Sequence, residues 1–220
     1  MRILEGKCSS MSVFTLGTND IGNEGMSKLS PVLAQWSQLQ QLDLRWNSLG
    51  PTGANRLAQV LHRLPILRKL DVSSNSLGGT GAEELSSALT CCSGLTHLNL
   101  GVNDLGVSGM SWICTSLGRL PVLSTLLLEF NRLHSEGGTQ LANGLKHCTA
   151  LSELDLRGND LGVDGVIEIL KSINQGIPQN TKEKLKLDLK FNKVTEEDLN
   201  SEVDALNGRA SVSFSLLTST

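Results

Sequence analysis

The chain lacks tyrosine, has few other aromatic residues and contains no long apolar run. Phenylalanine and tryptophan make up only 3% of its 220 residues. No stretch approaches the ~18 apolar residues of a membrane-spanning helix, and the first residues hold too short an apolar run for a secretory signal. No N-x-S/T glycosylation sequon occurs either. These absences predict a cytoplasmic protein with no membrane partner.

An excess of one charge and the common catalytic motifs are also missing. The 19 basic and 22 acidic residues leave a net charge of −3, which gives no long-range attraction to nucleic acid. No HExxH, Walker or GxSxG motif is present, and the four histidines are scattered. We therefore expect a protein that is not an enzyme and that uses no cofactor and no metal.

What the sequence does contain is an asparagine that recurs at a regular interval. Consecutive copies stand 28 residues apart, except for a last interval of 33. The copies are Asn19, Asn47, Asn75, Asn103, Asn131, Asn159 and Asn192. The frame L-x-x-L-x-L-x-x-N-x-L-G-x-x-G surrounds them, as in residues 39–53. A self-similar unit of this length predicts a solenoid of about seven repeats.

Within each repeat the apolar spacing changes from that of a strand to that of a helix. Leu42 and Leu44 alternate as in a strand, whereas Leu57 and Leu61 lie on one helical face. Strands stack ~4.8 Å apart but helix axes need ~8–10 Å, so the array must bend toward its strands. The prediction is a right-handed α/β solenoid, a partial horseshoe with parallel strands on its concave face and helices on its convex face.

The repeated polar and small positions have predicted structural roles. The asparagine amide can bond the backbone of its own loop and of the adjacent loop, so the copies should form a ladder. Paired glycines such as Gly50 and Gly53 should lie between strand and helix, where a sharp turn or close packing is easiest without a Cβ. His134 replaces the first glycine in one repeat. We expect that loop to differ slightly from the others and to expose the imidazole.

The repeat register also assigns the five cysteines. Cys8, Cys92 and Cys148 share a position that is apolar in other repeats, so they should be buried. Cys114 falls at a small-residue position on a helix, and Cys91 should be exposed. Equivalent cysteines lie two or more repeats apart, beyond the ~7 Å reach of a disulfide. No disulfide is expected.

The repeat frame resembles the ribonuclease-inhibitor type of leucine-rich repeat, which also forms the ligand-sensing arrays of nucleotide-binding leucine-rich-repeat receptors. The resemblance covers nearly the whole chain. It implies a role in protein recognition but no particular partner, because repeats of this type serve many partners. The leading hypothesis is a non-enzymatic module that binds another protein on its concave face.

Two alternatives stay open. The Ran GTPase-activating protein is built from similar repeats, so the resemblance also implies regulation of a small GTPase from the strand-to-loop rim. The second alternative is that the chain is an excerpt of a larger receptor or effector, because Met1 and Leu4 align with positions that lie inside a helix in other repeats. With uncapped ends, the array should be a monomer or should self-associate weakly through them.

We assign residues 1–206 to a single leucine-rich-repeat domain and residues 207–220 to a C-terminal tail. The longer last interval is attributed to a polar loop around residues 174–183. A terminal helix is predicted at about 195–206. Alternation over residues 211–216 indicates an edge strand in the tail.

The candidate interaction site lies in two columns on the concave face. One column, between the two strand leucines, contains Asp43, Asp71, Asn99, Leu127, Asp155 and Asp188. Carboxylates ~5 Å apart repel by ~3 kcal/mol at an effective dielectric constant of 20. We expect compensation from Arg45, Lys69, Arg157 and Lys190.

The second column and the rim beside it hold arginines, Glu129 and the aromatic residues Trp46, Phe130 and Phe191. Such residues either anchor a partner protein or cover the strand-to-loop bend. The predicted partner-binding residues are Asp43, Arg45, Trp46, Asp71, Leu127, Glu129, Phe130 and Arg157.

Overall fold

The computed structural model shows a parallel sheet with a row of helices on one side, and it describes residues 10–176, 184–206, 208 and 210–214. The eight strands pair in chain order. They are β1 Val13–Thr15, β2 Gln41–Asp43, β3 Lys69–Asp71, β4 His97–Asn99, β5 Thr125–Leu127, β6 Glu153–Asp155, β7 Leu185–Asp188 and β8 Ala210–Ser213. The helices are α1 Gly22–Leu33, α2 Gly50–Leu61, α3 Gly78–Leu89, α4 Gly106–Leu117, α5 His134–Leu145, α6 Gly162–Gly176 and α7 Asn200–Ala205, the last preceded by a 3₁₀ turn at Glu197–Leu199. The predicted α/β solenoid is confirmed.

The strands pair in the register that the repeat predicts. Leu42 pairs with Leu70, one repeat further along the chain. Across the longer interval Leu154 still pairs with Leu187, so the additional residues leave the sheet undisturbed. The predicted polar loop was wrong at residues 174–176, because α6 continues through Gly176. Residues 177–183 lie outside the described residues.

The core is a continuous layer of leucines between the sheet and the helices. Leu42 of β2, Leu44 just after that strand, and the helix residues Leu57 and Leu61 are all fully buried. Each buried leucine contributes roughly 1.5–3 kcal/mol. Near the first strand the core ends in an edge-to-face pair, in which the ring centroids of Phe14 and Trp36 are 5.0 Å apart.

The repeated asparagines form the predicted ladder. The Asn75 side-chain amide donates to the carbonyl oxygens of Leu44 and Val72 at 2.9 Å and of Ser73 at 3.0 Å. Its oxygen accepts from the backbone amides of Asn47 at 3.1 Å and Leu49 at 3.3 Å. Each fully bonded rung therefore joins the loops of neighbouring repeats through groups that no water can reach.

The loop at His134 differs from its prediction. Its φ of 55° is close to the 60° of Gly50, and its amide donates to the Asn159 carbonyl at 2.9 Å, as Gly50 does to Asn75. The expectation of a different loop was wrong because histidine tolerates the left-handed region and the carbonyl of the neighbouring repeat holds it there. The imidazole is exposed, as predicted, and lies 3.2 Å from the Asp160 carboxylate.

The described cysteines occupy the positions that the register assigns to them. Cys92 and Cys148 are buried, Cys114 is half-buried and Cys91 is exposed. Burial raises the pKa of Cys92 and of Cys114 to about 12, so these thiols stay protonated and act as apolar residues. Cys8 lies outside the described residues.

The C-terminal elements agree with the sequence in outline. Thr195 caps the predicted helix: its amide donates to an Asp198 carboxylate oxygen at 2.8 Å, and the Asp198 amide donates to the Thr195 hydroxyl at 3.2 Å. The helix is divided into the 3₁₀ turn and α7. The predicted edge strand is present as β8, parallel to β7; residues 215 and 216 lie outside the described residues.

Candidate functional site

The concave face is lined by columns of equivalent residues from successive repeats. Asp43 pairs with Asp71 across β2 and β3, and Asn99 pairs with Leu127 across β4 and β5. Arg45, Glu129 and Arg157 stand two residues further along their strand-to-loop segments, and Trp46 and Phe130 follow at the rim. The fold thus brings the eight predicted residues onto one side of the sheet.

Most aspartates of the first column are compensated as expected. Arg45 Nε lies 3.5 Å from Asp43 Oδ2. Arg157 Nη2 lies 2.6 Å from Asp155 Oδ2, and Lys190 Nζ lies 3.4 Å from Asp188 Oδ2. Because these pairs are on the same segment of chain, the cations stay ordered over the sheet.

The predicted compensation of Asp71 by Lys69 was wrong. The Asp71 carboxylate instead accepts from the Ser73 hydroxyl at 2.7 Å and from the Asn99 side-chain amide at 3.1 Å. Ser73 reaches the carboxylate from the adjacent turn, so neutral donors satisfy Asp71. Lys69 instead affects His97 on the next strand. The pKa of this imidazole is lowered first by burial and second by the charge of the Lys69 ammonium.

The acidic column also has a structural role that the sequence analysis missed. Asp43 accepts the backbone amide of Arg45 at 3.1 Å, and Asp155 accepts that of Arg157 at 3.0 Å. Asn99 does the same for Gly101 at 3.0 Å. The recurrence of Asp or Asn two residues before the bend was the available signal. These acceptors hold the backbone at the ends of the strands that carry them. The acidic residues therefore have a structural role in addition to any role in binding.

Leu127 interrupts this column and leaves Glu129 in an unusual position. The Glu129 carboxylate accepts its own backbone amide, since Leu127 offers no acceptor. It lies over Gly101, so a side chain at that position would require the Glu129 carboxylate to move. Its Oε2 atom is buried and has no hydrogen-bond partner among the described residues. Burial is the main cause that raises the pKa of Glu129.

The rim presents large apolar side chains to solvent. Trp46, Val102, Phe130 and Phe191 are 60%, 42%, 48% and 64% exposed. Their φ angles are 55°, 55°, 54° and 60°, in a region that bulky residues rarely adopt and that costs roughly 1–2 kcal/mol per residue. The ring of Phe130 lies over Gly158 of the next repeat, so this ring has a structural contact as well as an exposed face.

Between the columns lies a hollow of about 230 Å³ on strands β2 to β5. Four of the predicted residues, Asp43, Arg45, Asp71 and Leu127, line it together with His97. Within the part of the chain that the structure describes, no group of three or more His, Cys, Asp or Glu side chains is placed to hold a metal ion. Because charged, polar and leucine side chains line the hollow, it offers both polar and apolar contacts.

Comparison with known proteins agrees with this architecture. A family model described as leucine-rich repeat matches residues 7–30, 38–58, 64–86, 91–114 and 147–170. A similar solved structure is that of the leucine-rich repeat-containing protein LegL7 from Legionella pneumophila, with a TM-score of 0.50 and 21% identity over 96% of this chain and 79% of that one. At this identity the likeness concerns the fold alone. No curated protein sequence matches the chain.

The matched segments span just over half of the chain. They coincide with strands, loops and helices that repeat in register along one sheet. On both grounds, the chain belongs to the leucine-rich repeat family.

Proposed function

We propose that the chain is a non-enzymatic recognition module that binds another protein on its concave face and rim. Leucine-rich repeat proteins generally bind other proteins. The observation that carries the proposal is the row of exposed Trp46, Val102, Phe130 and Phe191 side chains on left-handed backbone. Glycine, serine or asparagine would suit these positions at lower cost, so the backbone conformation alone does not explain the bulky residues.

The surroundings of Trp46 suit an anchor for a partner. The indole lies between Thr18 and Ser74 of the adjacent repeats, over a shallow polar depression. Arg45 is next to it and is oriented by its ion pair with Asp43. Tryptophan and arginine dominate the energetic centres of protein interfaces, and side chains ordered beforehand lose little entropy on binding.

The middle of the concave face supplies polar specificity. Asp71 is satisfied by neutral groups, and one Glu129 oxygen lacks a donor among the described residues. The ribonuclease-inhibitor subtype and the cytoplasmic location stay predictions.

The proposal is tested with Trp46→Ser, which copies Ser74 at the same position of the next repeat. We expect proteins captured by the wild type in a quantitative pull-down to bind this variant roughly 30-fold more weakly, a change typical of a central tryptophan. Because the indole is exposed, the melting temperature should change by less than about 2 °C.

The matched control is Val122→Ala, which removes an exposed apolar side chain elsewhere on the protein and copies Ala150 of the next repeat. It should keep the captured proteins. Equal capture by wild type and Trp46→Ser would contradict concave-face binding. A fall of several degrees in melting temperature for Trp46→Ser would assign the indole to the structure instead.

A further inference from the structure

Helix α4 differs from its neighbours on the outer side of the solenoid. It is the only one of α1 to α6 without a lysine, arginine, aspartate or glutamate. Its Trp112 is 42% exposed. The equivalent residues in the other repeats are long and polar: Lys28, Arg56, Glu84, Gln140 and Glu168. The repeat therefore needs no aromatic residue here, and Trp112 is an apolar exception on a polar surface.

The register between helices shows which residues surround Trp112. A residue on one helix contacts the residue 29 positions later on the next: Asn55 Nδ2 lies 2.6 Å from Glu84 Oε2, and Ser86 Oγ lies 3.1 Å from Thr115 Oγ1. The same offset places Glu83 of α3 beside Trp112. Glu84 occupies the equivalent position on that helix.

Both neighbouring helices carry carboxylates, but only that of α3 lies beside Trp112, because the 29-residue offset places Glu136 of α5 beside Val107. On α5, Glu136 stands one turn before Gln140, the residue equivalent to Trp112. Neither Glu83 nor Glu136 has an ion-pair partner anywhere in the described ranges. The outer face around α4 thus combines an exposed indole with acids, Glu83 and Glu136, that form no ion pair with any cation among the described residues.

This charge pattern selects among possible occupants. A second copy of the chain, packed through α4 about a two-fold axis, would bring the acids of α3 and α5 against acids of the same kind. A cation has the opposite effect, since the face of an indole attracts it and the carboxylates pair with it. Arginine suits both contacts because its planar guanidinium stacks on aromatic faces and bonds carboxylates.

We propose that the outer face around Trp112, Glu83 and Glu84 docks an arginine- or lysine-bearing segment of a protein partner. This surface lies on the helix side, away from the concave face, so it does not depend on the function proposed above. With both surfaces in use, the solenoid would join two proteins on its opposite faces.

The test follows the indole N–H signals of ¹⁵N-labelled full-length protein by NMR. The probe is an acetylated, amidated pentapeptide with one arginine between glycines, and the matched probe carries uncharged citrulline instead. Trp112→Gln, which copies the equivalent Gln140, assigns the Trp112 signal. We expect the arginine peptide to move that signal saturably with a dissociation constant in the millimolar range, as suits a single charged side chain. The citrulline peptide should leave it in place.

The double variant Glu83→Gln/Glu84→Gln should weaken arginine-peptide binding roughly threefold to tenfold, as expected for the loss of exposed ion pairs. An unmoved Trp112 signal, equal shifts with citrulline, or unchanged affinity in the double variant would each overturn the proposal. Because Trp46 gives its own indole signal, a shift confined to Trp46 would likewise overturn it while leaving the concave-face function standing.

Discussion

At the scale of single residues, the asparagine at each bend determines what the rim can present. Trp46 and Ser48, on either side of Asn47, have φ angles of 55° and 54°. Asn47 holds this backbone through bonds to the carbonyl oxygens of Leu16, Leu44 and Arg45 at 2.8, 2.9 and 3.1 Å. The rim residue is thus held in a left-handed conformation whatever its side chain. A large side chain placed there starts from a fixed backbone and is exposed to solvent.

Glu129 is the residue whose ionisation should affect stability. Its pKa is raised, chiefly by burial, so the folded protein binds this proton more tightly than the unfolded chain does. Its contribution to stability is then complete below the ordinary glutamate pKa and is lost as the pH rises through the raised value. At neutral pH, Glu129→Gln should increase the free energy of unfolding by less than about 1 kcal/mol, because the carboxyl group is partly solvated.

Urea denaturation at neutral pH and below about pH 4 measures this effect. The gain should disappear at the lower pH, where the wild-type carboxyl group is protonated. Glu153→Gln, at an exposed position on β6, provides the matched control and should show no such dependence. A gain of equal size at both pH values would indicate that the charge of Glu129 is not the cause.

At the scale of elements, the asparagine ladder couples each strand–loop–helix unit to the next. Asn75 makes three bonds through its amide and accepts two through its oxygen. Replacing it with alanine leaves buried backbone groups unpaired, so Asn75→Ala should lower the free energy of unfolding by roughly 1–3 kcal/mol. Binding by molecules that remain folded should be unaffected.

The first rung provides a control for this prediction. Among the described residues, the Asn19 side-chain amide donates to the carbonyl oxygens of Leu16 and Gly17, both in its own loop, and water can replace those bonds. Asn19→Ala should therefore cost less than Asn75→Ala in denaturant titrations of the two variants. Equal losses would mean that the connection between repeats adds nothing to the local bonds.

The repeat period made these elements predictable, whereas several side chains of the site were not. Leucine and asparagine spacing depends on burial and backbone pairing, so it predicted the strands, helices and ladder. The repeat spacing does not reveal whether the Asp71 carboxylate contacts the Ser73 hydroxyl or the Lys69 ammonium. The structure shows the contact with Ser73. Val102 and Trp112 were not among the predicted site residues. The left-handed backbone of Val102 and the exposure of Trp112 are properties of the folded structure. The repeat spacing does not contain them.

At the scale of the whole molecule, strand β8 covers the edge of β7, the strand of the last asparagine-bearing repeat. The unpaired backbone of an edge strand readily pairs with another chain. Strand β8 covers β7 along four paired residues, and Val212 and Phe214 pack against the core. We propose that this segment acts as a cap. The boundary predicted at residue 206 would then separate the cap from the repeats that it protects.

Ending the chain after residue 206 tests the cap directly. Removal of β8 exposes the β7 edge and the apolar surface under Val212 and Phe214, and burial of one such side chain contributes up to about 1.5–3 kcal/mol. The shortened protein should unfold at a lower urea concentration and should form dimers in size-exclusion chromatography with light scattering, because stacked repeats depend on a capped end. A chain that ends after Phe214 retains β8 and should behave as the full-length protein does. If the shorter chain kept its urea midpoint and its monomeric mass, β8 would contribute neither stability nor protection.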